Sequence, residues 1–278
     1  MTKLQLLGQY SFFEKIQLIL MWAYDRTLGT RRKGIYELKH LIHDAGDRFS
    51  FQRQGKYNRI TGEGITVLAR RTSSDVPVFS QVFYYQEYQA VVDAIHDRDR
   101  IKYIIDGGAN VGYTSLFFEK QFPHATILSV EPEAGNYAMM LKNFELNNFK
   151  ATPVQAALWH TAEHLAIDRS FREHRDWSVA VKPGGSDIEG ITISELCKKY
   201  HFPRIDILKL DIEGAERYLF DTQEDVEGFL PMTRYLAIEI HEEYRIKDKI
   251  LKFLEQFGFS HFPHPHGELV IAINEKYS

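Results

Sequence analysis

From residue 101 to the end of the chain, short apolar runs alternate with longer segments in which apolar residues recur every three or four positions. Short apolar runs predict buried strands, and the three-to-four spacing predicts helices. We expect strands over 101–105, 125–130, 151–157, 205–210 and 235–240, and helices over 85–97, 133–146 and 245–256. Such an alternation predicts a mostly parallel sheet with helices on both faces.

Two segments interrupt this alternation. Residues 160–192 contain short strand-like pieces around the turn Pro183-Gly184-Gly185, so we expect an inserted β segment there. Residues 258–273 predict a closing hairpin that turns at His266-Gly267 and adds antiparallel strands to the sheet. The expected fold is therefore α/β and Rossmann-like, with a mostly parallel seven-stranded sheet that ends in an antiparallel hairpin.

The N-terminal part of the chain follows a different pattern. Residues 1–45 predict helices, among them an amphipathic helix over 12–24, and residues 47–71 predict short strands. We therefore expect an N-terminal accessory region over 1–80 and a ligand-binding domain over 81–278. The amphipathic helix predicts packing onto its own domain or a homodimer through the N-terminal region.

A glycine-rich loop, Asp106-Gly107-Gly108-Ala109-Asn110-Val111-Gly112, follows the first of the alternating strands and precedes a helix. Gly108 and Gly112 lack a Cβ, so the backbone can approach a bulky ligand, and Asn110 tolerates left-handed geometry. The spacing Gly107-x-Ala109-x-x-Gly112 is also close to a dinucleotide fingerprint. A nicotinamide-dependent oxidoreductase therefore stays open as an alternative.

Acidic residues at the strand ends bear on this choice, because ligands of such sheets bind beyond the carboxyl ends of the strands. Asp106, directly before the turn, would repel a pyrophosphate and attract the cationic methionine portion of S-adenosylmethionine. Glu131, followed by Pro132, ends the second strand, where a carboxylate can accept two hydrogen bonds from a ribose diol. An alternative role for Glu131 is to stabilise the start of the next helix. The pattern favours S-adenosylmethionine as the cofactor.

Three segments resemble the FkbM family of methyltransferases: Asp106–Gly112, Gln155–Leu158 and Leu208–Glu216. The similarity covers about residues 80–260, and its most discriminating part is the Lys-x-Asp-x-Glu-Gly-x-Glu motif that begins at Lys209. The resemblance implies a class I methyltransferase fold, S-adenosylmethionine as cofactor, and O-methyl transfer to hydroxyl groups, often of sugars or secondary metabolites.

The resemblance also implies which residues contact the cofactor. The methionine side would be lined by Asp106, Gly108, Asn110 and Ser115. Glu131 would hold the ribose, and Gln155 and Ala156 would border the adenine. The whole expected cofactor site comprises Asp106, Gly107, Gly108, Ala109, Asn110, Gly112, Ser115, Glu131, Pro132, Gln155, Ala156, Asp211 and Glu213.

Catalytic candidates lie at the ends of the fourth and fifth alternating strands. Asp211 and Glu213 are two residues apart, as are Glu239 and His241, so each pair shares a side while the chain stays extended. We expect His241 to be the general base, because the ordinary imidazole pKa of about 6.5 suits proton removal near neutrality. Asp211 would orient the acceptor hydroxyl or the cofactor amine, and Glu239 is the third residue of the expected catalytic set. The alternatives are His241 as a partner of the next helix's start, and Glu213 and Glu216 as helix N-terminal charges. Lys209 is expected to have a carboxylate partner, since a buried unpaired charge is costly.

The same side chains suggest a metal-assisted alternative. Carboxylates and an imidazole can hold Mg²⁺, which would lower the pKa of an acceptor hydroxyl. The family resemblance does not require a metal, so we expect none. A second histidine group, His261, His264 and His266, is interpreted as loop and strand-face residues and not as a zinc site.

Composition limits the partners. A net charge of −4 argues against general nucleic-acid binding, and no stretch reaches the roughly 18 apolar residues of a membrane span. The single cysteine, Cys197, is compatible with a reducing compartment, and we expect a cytoplasmic protein. The expected acceptor is a hydroxyl-bearing small molecule or carbohydrate, for which Phe171 and Trp177 offer stacking faces. A cofactor-binding protein without catalysis is a further alternative.

Overall fold

A computed structural model describes Ile16 and residues 48–71, 73–168, 180–263 and 269–277. The helices predicted for 1–45 lie outside the described residues, apart from Ile16, which is helical. The stacking candidates of the insertion (Phe171 and Trp177), His264 and the predicted hairpin turn at His266-Gly267 also lie outside them.

The described chain contains strands, short and long helices, and single turns of other helix types. The strands are β1 Phe49–Gln54, β2 Tyr57–Gly62, β3 Ile65–Arg70, β4 Tyr103–Gly107, β5 Thr126–Val130, β6 Thr152–Val154, β7 Ala157–Leu158, β8 His164–Asp168, β9 Ala180–Pro183, β10 Ile188–Ile191, β11 Ile205–Leu210, β12 Thr233–Glu239, β13 Phe259–Pro263 and β14 Leu269–Asn274. The α-helices are α1 Asp75–Phe79, α2 Gln89–Asp93, α3 Tyr113–Gln121, α4 Ala134–Leu146, α5 Ile193–Lys199, α6 Glu216–Leu219, α7 Gln223–Glu227 and α8 Lys247–Gln256. A π-helical turn covers Ser80–Tyr84, and 3₁₀ turns cover Arg98–Arg100, Leu230–Met232, Glu242–Tyr244 and Glu275–Tyr277.

The largest sheet has seven strands in the order β6-β5-β4-β11-β12-β14-β13. The first five are parallel, and β14 pairs antiparallel with both β12 and β13. Every residue of β11 is buried, as expected for a central strand covered on both faces. This arrangement confirms the predicted Rossmann-like sheet with its closing hairpin. The strand order reverses between β4 and β11, so the ligand crevice is expected where these two strands end.

A second sheet, in the order β7-β10-β8-β9, occupies the region of the expected β insertion. Its core is formed by Trp159, Leu165, Val181 and Ile188, which pack against Ala215. Because Ala215 follows the end of β11, the inserted sheet lies beside the turn that leaves that central strand.

The described chain divides into two compact units, one containing residues 48–87 and 142–149 and the other the remaining residues. The first unit holds the antiparallel sheet β1-β2-β3. At the free edge of β3, Asn147 accepts a hydrogen bond from the Thr66 amide at 2.9 Å and donates to the Thr66 carbonyl at 2.7 Å. Asn147, which directly follows α4, thus satisfies backbone groups of β3 that no further strand pairs. The boundary at residue 80 stays a prediction.

Two predicted elements differ from those observed. The helix expected over 85–97 is shorter, because Gln86 adopts a left-handed conformation (φ 53°) and α2 begins only at Gln89. The strand expected over 151–157 is two strands, since β6 pairs with β5 whereas β7 pairs with β10 of the inserted sheet. Apolar periodicity cannot show that one run serves two sheets.

Candidate functional site

The glycine-rich loop joins β4 to α3 at the strand-order reversal. Gly108, Asn110 and Gly112 all have positive φ (73°, 51° and 85°), so the loop needs residues that tolerate left-handed geometry. A Cβ on Gly108 would lie 1.8 Å from the Asp211 carbonyl oxygen. The loop therefore packs directly against the end of β11, and a larger residue at this position would separate the two.

Asp106 is fully buried beneath this loop. Its Oδ2 accepts a hydrogen bond from Ser115 Oγ at 2.6 Å, and Ser115 Oγ lies 2.7 Å from Ser129 Oγ. Two residues expected to line the methionine portion of a cofactor, Asp106 and Ser115, thus bind each other and connect β4 to the first turn of α3. Their position assigns them to holding the loop in shape.

Lys209 in β11 reaches across to the neighbouring strand and joins the parts of the site. Its Nζ donates to the carbonyls of Gly107 at 3.1 Å and Gly108 at 2.7 Å. The same ammonium lies 3.3 Å from Asp106 Oδ1 and 3.7 Å from Asp211 Oδ2. Burial lowers the pKa of Lys209, but the charges of Asp106 and Asp211 outweigh this effect and raise it. The expected carboxylate partner is confirmed, and the loop carbonyls are partners that the sequence did not reveal.

Glu131 follows β5 and is also buried. Its Oε2 accepts from the Asn110 amide at 2.9 Å, and its Oε1 accepts from the Glu133 amide at 2.9 Å and from Asn136 Nδ2 at 3.4 Å. Burial raises the pKa of Glu131 to about 7. A carboxylate has about four lone-pair sites, so Glu131 can fix the loop and the start of α4 and still accept one hydrogen bond from a ligand diol.

The residues expected around an adenine lie at the end of β6. Gln155 is exposed and Ala156 is buried, and both precede β7. Pro132 is half-buried beside Glu131. The carboxyl ends of β4, β5 and β6 are adjacent, so these residues and the glycine-rich loop line one edge of the sheet. The geometry fits a ligand that extends along this edge.

The chain turns sharply after β11. Asp211 is partly exposed (29 % of its side chain), and its amide donates to the Gly107 carbonyl at 3.2 Å. Glu213 and Gly214 then take positive φ values of 53° and 90°. The assumption of an extended chain therefore fails here, and Glu213 is directed toward His241 instead of sharing the side of Asp211. Gly214 is required because a Cβ there would lie 2.3 Å from the Tyr244 ring.

His241 is fully buried between two carboxylates of this turn. Its Nε2 lies 3.3 Å from Glu213 Oε2, and its Nδ1 lies 3.3 Å from Glu216 Oε1. Burial alone would lower the pKa of His241, but Glu213 and Glu216, with the charge of Asp211, raise it to about 11. The imidazole is thus cationic at neutral pH, and the ordinary pKa on which its role as general base depends does not apply. Glu216, which also accepts from the Ile212 amide at 3.0 Å, is a site residue outside the predicted set.

The catalytic candidates do meet. One side-chain atom each of Asp211, Glu239 and His241 lie within 4.8 Å of one another. Asp211 and Glu239 are partly exposed, whereas His241 is not. The cluster has the residue types of a divalent metal site, but two cations, Lys209 and His241, already lie among its carboxylates. The exposed part of the cluster consists of carboxylates and adjoins the glycine-rich loop. Carboxylates can attract a cationic group and can accept a hydrogen bond from a neutral donor such as a hydroxyl.

Similarity to known proteins covers the part of the chain that contains this site. The family profile described as "Methyltransferase FkbM domain" matches residues 106–260. "Methyltransferase sdnD" of Sordaria araneosa is 25% identical over 191 residues, which cover 56% of this chain and 73% of that protein. "Methyltransferase 1" of Beauveria bassiana (strain ARSEF 2860) is 23% identical over 137 residues, which cover 41% of this chain and 55% of that protein. The crystal structure titled "Methyltransferase FkbM from Methylobacillus flagellatus KT" aligns with a TM-score of 0.38 at 14% identity, over 62% of this chain and 43% of that one.

Proposed function

The chain belongs to the FkbM family of S-adenosylmethionine-dependent methyltransferases, and we propose that it methylates a hydroxyl group of a small molecule or sugar. The observation that carries the proposal is the pair of partly exposed carboxylates, Asp211 and Glu239, beside the glycine-rich loop. A neutral hydroxyl must lose its proton as it gains a methyl group, and a carboxylate within hydrogen-bond reach can orient it and accept that proton.

Bound S-adenosylmethionine supplies a methyl carbon activated by its sulfonium charge. Glu131 would accept a hydrogen bond from the ribose, Gln155 and Ala156 would border the adenine, and the loop from Gly107 to Gly112 would approach the methionine portion. The lone pair that Glu131 keeps beyond its three hydrogen bonds within the protein supports the ribose assignment. Asp106 and Ser115 would act through the loop that they hold in place.

We assign the proton acceptor to Asp211, with Glu239 as its neighbour, and not to His241. The Asp211 side chain is 29 % exposed. The hydrogen bond from the Asp211 amide to the Gly107 carbonyl fixes this residue next to the loop. His241 is buried and cationic, so it has neither access to an acceptor nor a free basic nitrogen at neutral pH. Its role is to hold Glu213 and Glu216, and thereby the turn that presents Asp211.

Family membership does not favour the nicotinamide-dependent alternative. A cofactor-binding protein without catalysis would not need the acidic, partly exposed cluster. That cluster is the feature by which the two classes differ, because binding requires the loop and Glu131 while turnover also requires Asp211.

The test is a methyl-transfer assay with isotopically labelled S-adenosylmethionine and paired acceptors, each glycoside or phenol offered with its deoxy counterpart. Mass spectrometry should place the methyl group on oxygen. Asp211→Asn should bind the cofactor normally while turnover falls by about 10²-fold. Asp221→Asn, an exposed residue paired with Lys249, is the matched control. A methyl group on nitrogen or carbon, or full turnover in Asp211→Asn, would contradict the proposal.

A further inference from the structure

Three neighbouring strands of the large sheet begin with cationic residues. Lys102 precedes β4, Arg204 precedes β11, and Arg234 is the second residue of β12. These strands are parallel and adjacent, so their starts meet at one edge of the sheet. This edge is opposite to the one that carries the glycine-rich loop, and the methyl-transfer site does not use it.

The three side chains line an open cavity of about 570 Å³. Its lining residues are Asp99, Arg100, Lys102, Arg204, Asp206, Arg234 and Tyr277. Four of these are cationic and two are acidic, so the lining carries an excess of positive charge. Cavities of roughly 300–1,000 Å³ hold small-molecule ligands, and the sign of the charge indicates an anion.

The acidic residue at the base of the cavity is already satisfied. Asp206 is fully buried and accepts from Arg204 Nε at 2.6 Å and from the amides of Lys102 and Tyr103 at 2.7 and 3.0 Å. Asp206 thus fixes Arg204 and the start of β4. Asp206 is therefore part of the scaffold of the cavity, and it forms no ion pair with Lys102 or Arg234.

Arg234 is the residue that points most directly to a ligand. Its Nε is buried and has no hydrogen-bond partner among the residues that the structure describes, and its guanidinium lies 5.1 Å from the Tyr235 ring. Neither Arg234 nor Lys102 forms an ion pair with any described residue. A buried donor without an acceptor costs free energy, and no carboxylate of the described residues holds this guanidinium. Arg234 is itself only half-buried, so its guanidinium can turn its N–H donors toward an anion in the cavity. Tyr277 lines the same cavity. Its hydroxyl donates a hydrogen bond to the Pro231 carbonyl at 2.7 Å, which fixes the ring.

We propose that this cavity binds a phosphate-bearing small molecule at a site separate from the cofactor loop. A guanidinium presents its N–H donors in a planar fork that matches two phosphate oxygens, and a lysine adds a mobile charge. Arg234 supplies the planar guanidinium and Lys102 supplies the second positive charge. Arg204 also lines the cavity, where its hydrogen bond to Asp206 holds it in place. The cavity volume leaves room for an organic group beyond the phosphate.

The experiment titrates the full chain with pyrophosphate and, separately, with inorganic phosphate, by calorimetry at constant ionic strength. We expect saturable binding at one site per chain, weakened roughly tenfold or more in Arg234→Met, which loses charge-assisted hydrogen bonds. Lys102→Met should weaken binding as well, and because Lys102 is exposed, that variant keeps the test valid if Arg234→Met folds poorly. Lys252→Met, an exposed lysine of α8, is the control and should bind like the native chain.

Two results would overturn the proposal. Equal affinity in the native chain, Arg234→Met and Lys102→Met would remove the cavity as the site. A similar loss in Lys252→Met would mean that the anion only screens surface charge. The cavity lies at the edge of the sheet opposite to the glycine-rich loop, so the outcome is independent of the function proposed above.

Discussion

Glu131 combines two roles that the sequence left as alternatives. Its carboxylate caps the start of α4 through the Glu133 amide and at the same time holds the glycine-rich loop through the Asn110 amide. Both bonds form in a buried environment, where an ionised carboxylate is poorly solvated. The pKa of about 7 is the consequence, and it makes the charge of this residue sensitive to pH near neutrality.

We predict that Glu131 makes the ligand-free chain less stable as the pH rises from 4.5 to about 7. In this window the unfolded chain has released the proton that the folded chain still holds, so the free energy of unfolding falls by up to about 3 kcal/mol. Denaturant titrations at several pH values should show this decline in the native chain and not in Glu131→Gln. Glu145→Gln, on an exposed position of α4, is the control.

Cofactor binding should follow the opposite trend, because a ribose diol donates best to the ionised carboxylate. Glu131→Gln should weaken S-adenosylmethionine binding by roughly 2–3 kcal/mol. Calorimetry of a folded variant with unchanged affinity would remove Glu131 from the ribose site.

His241 shows how burial changes the role of a residue type. An exposed histidine near a substrate is a natural base, whereas this one lies between Glu213 and Glu216 with no exposed surface. A cation stabilises this arrangement, because the buried Glu216 carboxylate and the partly buried Glu213 carboxylate would otherwise repel each other.

His241→Gln should therefore lower the free energy of unfolding by about 3–5 kcal/mol, the usual cost of breaking a buried ion pair. In the native chain the raised pKa of His241 gives stability that is fully present below pH 6.5 and is lost as the pH rises through about 11. Denaturant unfolding between pH 6.5 and 10 should show that decline, and the variant should not. A variant with native stability and a 10²-fold lower turnover would instead restore His241 as the general base.

At the scale of elements, the site depends on how closely the β4–α3 loop approaches the end of β11. Lys209 bonds to the carbonyls of Gly107 and Gly108 from below, and the Asp211 carbonyl contacts Gly108 from the side. One buried strand thus fixes both the loop that would hold the cofactor and the carboxylate that would act on the acceptor.

The substitution Gly108→Ala tests how closely the loop must approach β11, and Gly55→Ala is the control at a glycine of similar backbone geometry. Gly55 has φ 58°, and no atom lies within 4 Å of the position that a methyl group would occupy there, so Gly55→Ala should cost only about 1–2 kcal/mol for its left-handed backbone. Gly108→Ala carries the same backbone cost and also places a methyl group 1.8 Å from the Asp211 oxygen. We expect a clearly larger loss of stability and loss of S-adenosylmethionine binding. Equal effects of the two substitutions would mean that the loop can move away from β11.

At the scale of the whole molecule, charge is divided between two edges of one sheet. The carboxyl edge carries the acidic cluster with Asp211 and Glu239, and the opposite edge carries the basic cavity with Lys102 and Arg234. No helix among the described residues has the length and apolar character needed to cross a membrane. The functions proposed for the two edges follow from this separation, since each attracts a ligand of opposite charge.

The acidic edge should act without a metal ion. Lys209 and His241 already supply positive charge to its carboxylates, and a metal would have to displace the proton on His241. Treatment with a chelator should leave turnover nearly unchanged, and added Mg²⁺ should not raise it. A large loss that Mg²⁺ reverses would show that Asp211, Glu239 and His241 bind a metal.

Sequence patterns alone were enough to predict the strands of the large sheet, the position of the glycine-rich loop and the acidic residues that follow the strands. Apolar periodicity is a local property, and it was sufficient to predict β11 at 205–210 and a loop between β4 and α3, as well as the carboxylates that follow the strands. Local patterns do not report the conformation of a single residue such as Glu213 or Gln86, where positive φ redirects the chain.

The environment of each polar side chain became clear only from the folded chain. Whether His241 is a base depends on the two carboxylates that face it, and these reach it through a turn that no periodicity describes. Likewise, the carbonyls that Lys209 binds lie about one hundred residues away in the chain. Lys102, Arg204 and Arg234 of the basic cavity also come from separate parts of the chain. Charge and pKa depend on distance and burial, and these are fixed only when the strands assemble.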